Sequence, residues 1–158
     1  MDIRSRHHLR DDEEEKIVEE LREKIGADLG SYSLEEVELD EDYDLVLADG
    51  EPLLIRFEGE IFVTVQGALE TNPSSEIVTV DQGAVGFLTN GADVMRPGIV
   101  DADPGIDPGD LVVVVEENHG KAIGVGRALT DGKDMMGDEG RVVENLLHVD
   151  DELWEFET

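Results

Sequence analysis

Gly91-Ala92-Asp93 bring a glycine to the junction between a helical segment and a strand, where backbone N–H groups can come close enough to donate to a phosphate. Arg96 follows at once, and Lys121 and Arg127 lie in a later strand-like stretch, with Lys133 and Arg141 as outer candidates. Cations beside an approachable backbone suit the binding of a polyanion. For Arg96, an ion pair with Asp93 or Asp101 is the competing role.

Bond-breaking chemistry has no comparable support. His7 and His8 are adjacent and cannot share a helix face, while His119 and His148 are isolated. Ser74 and Ser75 lack a nearby base. Gly124-Val125-Gly126 opens a dinucleotide fingerprint, but Leu129 stands where its third glycine belongs. The series Asp101, Asp103, Asp107, Asp110 fails as a calcium loop, which needs glycine at Ile106 and glutamate at Val112, so turn chemistry explains it better. With no cysteine, disulfides and thiolate metal sites are excluded. No catalytic activity, cofactor or metal is expected.

The elements that must hold these residues are legible. Asp81 caps a helix in which Ala84, Val85, Leu88 and Ala92 recur on one face, and Asn90-Gly91 supplies the left-handed stop. Strands are predicted at about 76–80, 94–100, 111–117, 121–128 and 141–149, with glycines 124 and 126 where bulk would obstruct a neighbour. Asp103-Pro104-Gly105 and Asp107-Pro108-Gly109 suit type II turns. Short strands around a packed centre predict a small barrel, its end sealed by Leu153, Trp154 and Phe156. Residues 1–73 read as an α+β unit. Asp12 and Glu15 suggest a capping box, Ile17, Val18, Leu21 and Ile25 an apolar stripe ending at Gly26. Strands at 45–48, 53–57 and 61–65 follow as a meander, joined through Asp49-Gly50 and Glu58-Gly59. The polar, proline-bearing segment 72–75 divides the chain into domains 1–73 and 74–158, an α+β fold overall.

The chain carries 41 acids against 12 lysines and arginines, a net charge of −29. The acids are spread evenly: residues 1–75 hold 22 acids and 7 bases, residues 76–158 hold 19 and 5. Apolar runs such as 111–115 rule out an acidic disordered chain. Uniform acidity on a folded protein points to a salt-rich cytoplasm, as in halophilic archaea, because at about 1 M salt the Debye length is only about 3 Å. A nucleic-acid mimic would gather its acids on one face. The tracts 118–130, 82–92 and 94–100 contain no acid, and they hold Lys121, Arg127 and Arg96. Burial of barrel strands explains the missing acids as well, though less readily the bases that remain. No apolar run nears the about 20 residues a membrane helix needs, and no signal-type core follows Arg4, Arg6 and Arg10, so a soluble cytoplasmic protein is expected.

GADVMRPGI (91–99), DPGD (107–110), KAIGVGRAL (121–129) and VVENLLHVDDELW (142–154) resemble the PUA domain, a pseudo-barrel that binds structured RNA. Segments 4–26 and 52–65 resemble the pre-PUA domain shared with the malignant T-cell-amplified sequence and ligatin-type translation factors. The resemblance covers enough of the chain to leave no room in it for a catalytic domain. In the resembled domains the first helix and following strand line the RNA surface, which adds Gln82, Val94 and Met95 as candidates, although Val94 is better read as core. The resemblance implies a non-catalytic role in translation, with ribosomal or transfer RNA, the small ribosomal subunit and a translation-factor protein as partners. The alternatives are a protein-interaction module or an accessory subunit of an RNA-modifying enzyme.

Overall fold

The computed structural model describes residues 1–156. The chain begins with β1 (Ile3–His8) and α1 (Asp11–Ile25), then β2 (Leu34–Leu39), β3 (Tyr43–Ala48), β4 (Glu51–Phe57), β5 (Glu60–Val63) and α2 (Val65–Thr71). The five strands form an antiparallel sheet in sequence order. Two of its hairpins are set by local chemistry. Asp49-Gly50 (φ 50° and 83°) and Glu58-Gly59 (φ 51° and 81°) both place two residues in the left-handed region, as a type I′ turn requires.

Helix α1 buries Ile17, Leu21 and Ile25, leaves Val18 half-buried, and stops at Gly26 with φ 68°. Its cap differs from the predicted Asp12–Glu15 pair. Leu9 N–H donates to Leu34 O at 3.0 Å, which fixes the chain at the end of β1, so the helix starts immediately afterwards. Arg10 becomes the N-cap, Glu13 Oε1 accepts its backbone N–H at 3.1 Å, and Asp12 instead pairs with the Arg10 guanidinium.

The second sheet holds β6 (Ile77–Val80), β7 (Val94–Met95), β8 (Ile99–Ala102), β9 (Leu111–Glu116), β10 (Ala122–Ala128) and β11 (Arg141–His148), with α3 (Gln82–Leu88) after β6. Its order is β7-β11-β10-β9-β6-β8, and only β6 and β9 run parallel. The sequence predicts one strand over 94–100; the structure breaks it. Pro97 has no N–H to give a ladder, and Arg96–Gly98 turn as a short 3-10 segment. Val94 and Met95 therefore pair with β11, while β8 pairs with β6. Because β7 and β8 are the two ends of the sheet yet only three residues apart, the sheet nearly closes into a barrel.

Gly126 confirms the expectation of a crowded glycine: a Cβ there would collide with Glu144 O and Val143 at the β10–β11 bulge. Of the two Asp-Pro-Gly turns, the second is type II, with Gly109 at φ 93° and Asp110 N–H on Asp107 O. The first is not. Gly105 stays out of the positive-φ region while Ile106, fully buried, is drawn into the barrel core.

Strands β9 and β10 are covered on both faces. Val112, Val114, Ile123 and Ala128 point into the barrel, whereas Leu111, Val113, Ala122 and Val125 join the core of the first sheet. Helix α2 packs between β4 and β10. The connecting segment is tied down, since Ser74 and Ser75 N–H both donate to Ile25 O at 2.8 and 3.2 Å. Leu153, Trp154 and Phe156 do not seal the barrel end as predicted. They pack on the first core, and Gln66 Nε2 donates to Trp154 O at 2.9 Å.

Candidate nucleic-acid interface

The corner between α3 and β7 is built by capping. Asp81 Oδ1 accepts Ala84 N–H at 3.0 Å at the helix start. At its end Gly91 N–H donates to Leu88 O and Ala92 N–H to Phe87 O, both at 3.0 Å, with Gly91 at φ 92°. This pattern is the Schellman arrangement, and it demands the left-handed residue that Gly91 supplies. Because the helix ends at Leu88, Ala92 lies past it and is exposed rather than on the predicted buried face. Ala84 and Val85 are half-buried against the barrel core.

Asn145 on β11 holds this corner, and sequence reasoning missed it. Its Nδ2 donates to Leu88 O at 3.1 Å and Ala92 O at 2.9 Å, which leaves Oδ1 buried with no donor among the described residues. The available signal was a lone amide within an apolar strand. Asp93 is likewise occupied: Oδ1 accepts Asn145 N–H at 2.8 Å and Oδ2 accepts from Arg141 Nη1 at 3.0 Å.

Between α3 and the β7–β8 elbow runs a groove of about 450 Å³, lined by Gly83, Ala84, Phe87, Ala92, Met95 and Pro97 among others. Its walls approach closely because they are small; a Cβ on Gly98 would stand 3.1 Å from Ala84 Cβ. Phe87 is 71% exposed and Met95 48%. Phe87 was also missed, although its place off the 84–85–88 stripe marks a large apolar side chain facing away from the core. Gln82, at the start of α3, is exposed next to this groove, and Val94 is buried in the barrel.

Arg96 turns away from the groove. It pairs with neither Asp93 nor Asp101: Nε donates to Asp134 O at 2.8 Å, Nη1 to Glu139 O at 3.0 Å, and Nη2 to Asp134 Oδ2 at 3.2 Å. Lys133 on the same loop is exposed and makes no ion pair among the described residues. Arg141 stands opposite Met95 in the β7–β11 register.

Lys121 and Arg127 do not join this corner. Lys121 immediately precedes β10 and Arg127 lies near its far end, about 20 Å away at strand spacing. Lys121 lines a separate groove of about 320 Å³ with Leu69, Asn72 and Pro73. Arg127 Nη1 donates to Gly109 O at 2.6 Å and Nη2 reaches Glu58 Oε2 at 3.3 Å. The expected convergence of Arg96, Lys121 and Arg127 on one polynucleotide is thus replaced by two internal clasps and one remote lysine.

His119 and His148 serve turns, the backbone N–H of His148 donating to Asp151 Oδ2 at 2.9 Å, while His7 and His8 lie in β1. Glu116 accepts the backbone N–H groups of His119 and Gly120, and the first of these holds its carboxyl below the usual value. Asp110 Oδ2 takes Asp107 N–H, a turn role, whereas Asp103 Oδ2 takes Ile77 N–H across the β6–β8 pair. No helix among the described residues is long and apolar enough to cross a membrane.

A nearly closed six-stranded sheet with one short helix, and an exposed groove at that helix's exit, defines a PUA-type barrel. Residues 76–149 match the PUA domain. The chain is 40% identical, over 99% of both sequences, to an uncharacterized protein of Methanocaldococcus jannaschii. A conserved PUA domain protein from Thermoplasma acidophilum superposes with a TM-score of 0.81 at 31% identity, covering 94% of this chain and 97% of that one. The chain therefore belongs to the PUA-domain proteins. Translation machinery-associated protein 20 of Saccharomyces cerevisiae is 26% identical over 90% of this chain and 79% of its own length.

Proposed function

We propose that this protein is a non-catalytic RNA-binding factor of translation in a salt-rich cytoplasm, contacting ribosomal or transfer RNA on the small ribosomal subunit. Residues 74–158 serve as the RNA-binding domain, and residues 1–73 as the domain that meets a translation-factor partner. The carrying observation is the α3–β7 corner, where Asp93 is neutralised by Arg141 and the flanking tracts 82–92 and 94–100 carry no acid, and which exposes Phe87 and Met95 on a chain of net charge −29. Gln82, Gly91, Ala92 and Met95 line the contact, Phe87 adds a stacking platform, and Lys133 and Arg141 lie at its rim. The likeness to translation machinery-associated protein 20 supports a place in translation. RNA crosslinked to the protein in lysate at molar potassium chloride should sequence as ribosomal or transfer RNA; recovery of none contradicts the proposal.

A protein-interaction role is the second reading. It is favoured by the pairing of Arg96, Arg127 and Arg141 with Asp134, Glu58 and Asp93, which leaves few cations for phosphate. Lys133→Glu with Phe87→Ala should abolish RNA crosslinking on the first reading, whereas on the second the wild type crosslinks no RNA and the variant keeps its complex with a protein partner.

A further inference from the structure

The groove between the end of α2 and the β9–β10 turn differs from its neighbours in one respect: its walls carry no acid. The groove along α1 is lined by Asp11, Glu14, Glu15 and Glu19, the one between the β3–β4 turn and α2 by Asp49, Glu51 and Glu70, and the α3 groove by Asp81 and Asp93. The Lys121 groove, of about 320 Å³, has no aspartate or glutamate in its lining. Burial does not account for this. Leu69, Asn72, His119, Gly120 and Lys121 of its walls are exposed, on a chain in which 41 of 158 residues are acids.

Both walls are fixed by local bonds. Asn72, at φ 49°, closes α2 by donating its N–H to Ala68 O at 3.0 Å. Across the groove, the buried Glu116 accepts the backbone N–H groups of His119 and Gly120 and draws the His119 ring to its second oxygen, Nδ1 to Oε2 at 3.4 Å. Lys121 is left uncommitted. It makes no hydrogen bond or ion pair among the described residues, whereas Arg96, Arg127 and Arg141 are each clasped by an acid. The side-chain amide of Asn72 is equally free among the described residues. Ile77 of β6 and Val115 of β9, both half-buried, give the groove an apolar floor.

A free cation and a free amide beside an apolar floor complement a molecule that is anionic at one end and hydrocarbon at the other. The volume lies near the lower end of the about 300–1,000 Å³ of small-molecule cavities. At about 1 M salt charge repulsion reaches only about 3 Å, so the acids that would exclude an anion are those in the walls themselves. Here the walls have none. We propose that this groove binds a small organic carboxylate, its hydrocarbon body on Ile77, Val115 and Leu69 and its carboxylate on Lys121 and Asn72. The groove shares no lining residue with the α3–β7 corner, and the proposal does not depend on RNA binding there. The carboxylate at the end of a protein chain is the competing occupant.

The full chain, labelled with nitrogen-15, is titrated by NMR in molar potassium chloride with four probes: 4-methylpentanoate, its uncharged amide, acetate, and an acetylated tetrapeptide ending in leucine. The branched acid should move the amide signals of Leu69, Asn72, Gly120 and Ala122 saturably, with a Kd of about 1–10 mM, the range open to so small a ligand. Acetate, which lacks the hydrocarbon body, should bind at least about tenfold more weakly. The uncharged amide should bind at least about twofold more weakly, the scale of a half-sheltered ion pair in salt. Lys121→Gln should remove that preference for acid over amide, and Lys121→Arg should keep it. Lys121 is exposed, so both variants are expected to fold, and Lys133→Gln should bind as the wild type does. Equal binding of acid and amide by the wild type, a preference that survives in Lys121→Gln, or shifts centred on other residues overturns the proposal. Much tighter binding of the tetrapeptide than of the branched acid assigns the groove to a protein chain end and overturns the small-molecule occupant. RNA crosslinking within residues 82–95 should be the same in Lys121→Gln as in the wild type, so a failure here leaves the RNA-binding reading untouched.

Discussion

The guanidinium carbon of Arg127 lies 5.1 Å from the centroid of the Phe57 ring, joining the barrel to the first sheet through a cation–π contact. The same side chain donates to Gly109 O and reaches Glu58, so one arginine ties two turns from different sheets. A partly desolvated cation–π contact contributes about 1–2 kcal/mol, and a hydrogen bond about 1 kcal/mol. Arg127→Ala should therefore cost about 2–3 kcal/mol in denaturant unfolding at molar potassium chloride. Arg127→Lys should recover less than half of that, because lysine cannot stack and donate at once. RNA affinity should be unchanged, since Arg127 lies away from the α3–β7 groove.

Asn145→Asp tests the latch beneath the α3–β7 groove. A carboxylate would face the Leu88 and Ala92 carbonyls and sit beside Asp93, for an expected loss of about 3 kcal/mol. Hydrogen exchange should show the loss first in the amides of Gly91 and Ala92. Unchanged protection there would assign the latch elsewhere.

Glu76 gives the fold a pH dependence of known sign. Burial, followed by the hydrogen bond and charge of Asp110, pushes its carboxyl up from the ordinary 4.5 to about 7. Between those values the folded chain holds a proton that the unfolded chain has released, so the contribution is full below about 4.5 and is lost as pH rises through about 7. Glu76→Gln, which imitates the protonated acid, should be more stable than wild type at pH 8 and should match it near pH 4.5. Molar salt should weaken the Asp110 charge effect without removing the effect of burial.

Gly67→Ala should be among the most damaging single changes. A Cβ at this position would overlap the Leu53 backbone carbonyl, which cannot yield as a flexible side chain would. The expected cost is about 3 kcal/mol, the upper end for over-packing. Thermal unfolding measured beside Gly59→Ala, where nothing lies within 4 Å but φ is 81°, separates collision from backbone strain.

What the sequence revealed follows the range of the interactions involved. Asp81 as a cap, Gly91 as a left-handed stop and the I′ turns at Asp49-Gly50 and Glu58-Gly59 are settled within four residues, and they were legible. Strand β1 has no buried residue and so no apolar alternation, and β2 reads as an acidic run with Glu35, Glu36 and Glu38. Helix α2 spans seven residues and contains a glycine, too short for a periodic stripe. The arginine roles were beyond reach because their partners are distant: Asp134 lies 38 residues from Arg96, and Glu58 lies 69 from Arg127. Asp93, the acid beside Arg96 in sequence, had already been taken by Arg141 across the sheet.

The central claim, that RNA is held at the α3–β7 groove, is tested most directly by ultraviolet crosslinking of the intact protein to RNA in molar potassium chloride, with the crosslinked peptides mapped by mass spectrometry. Adducts should concentrate within residues 82–95, above all at Phe87 and Met95. Adducts confined to α1 or the Lys121 groove, or none at all, would contradict it.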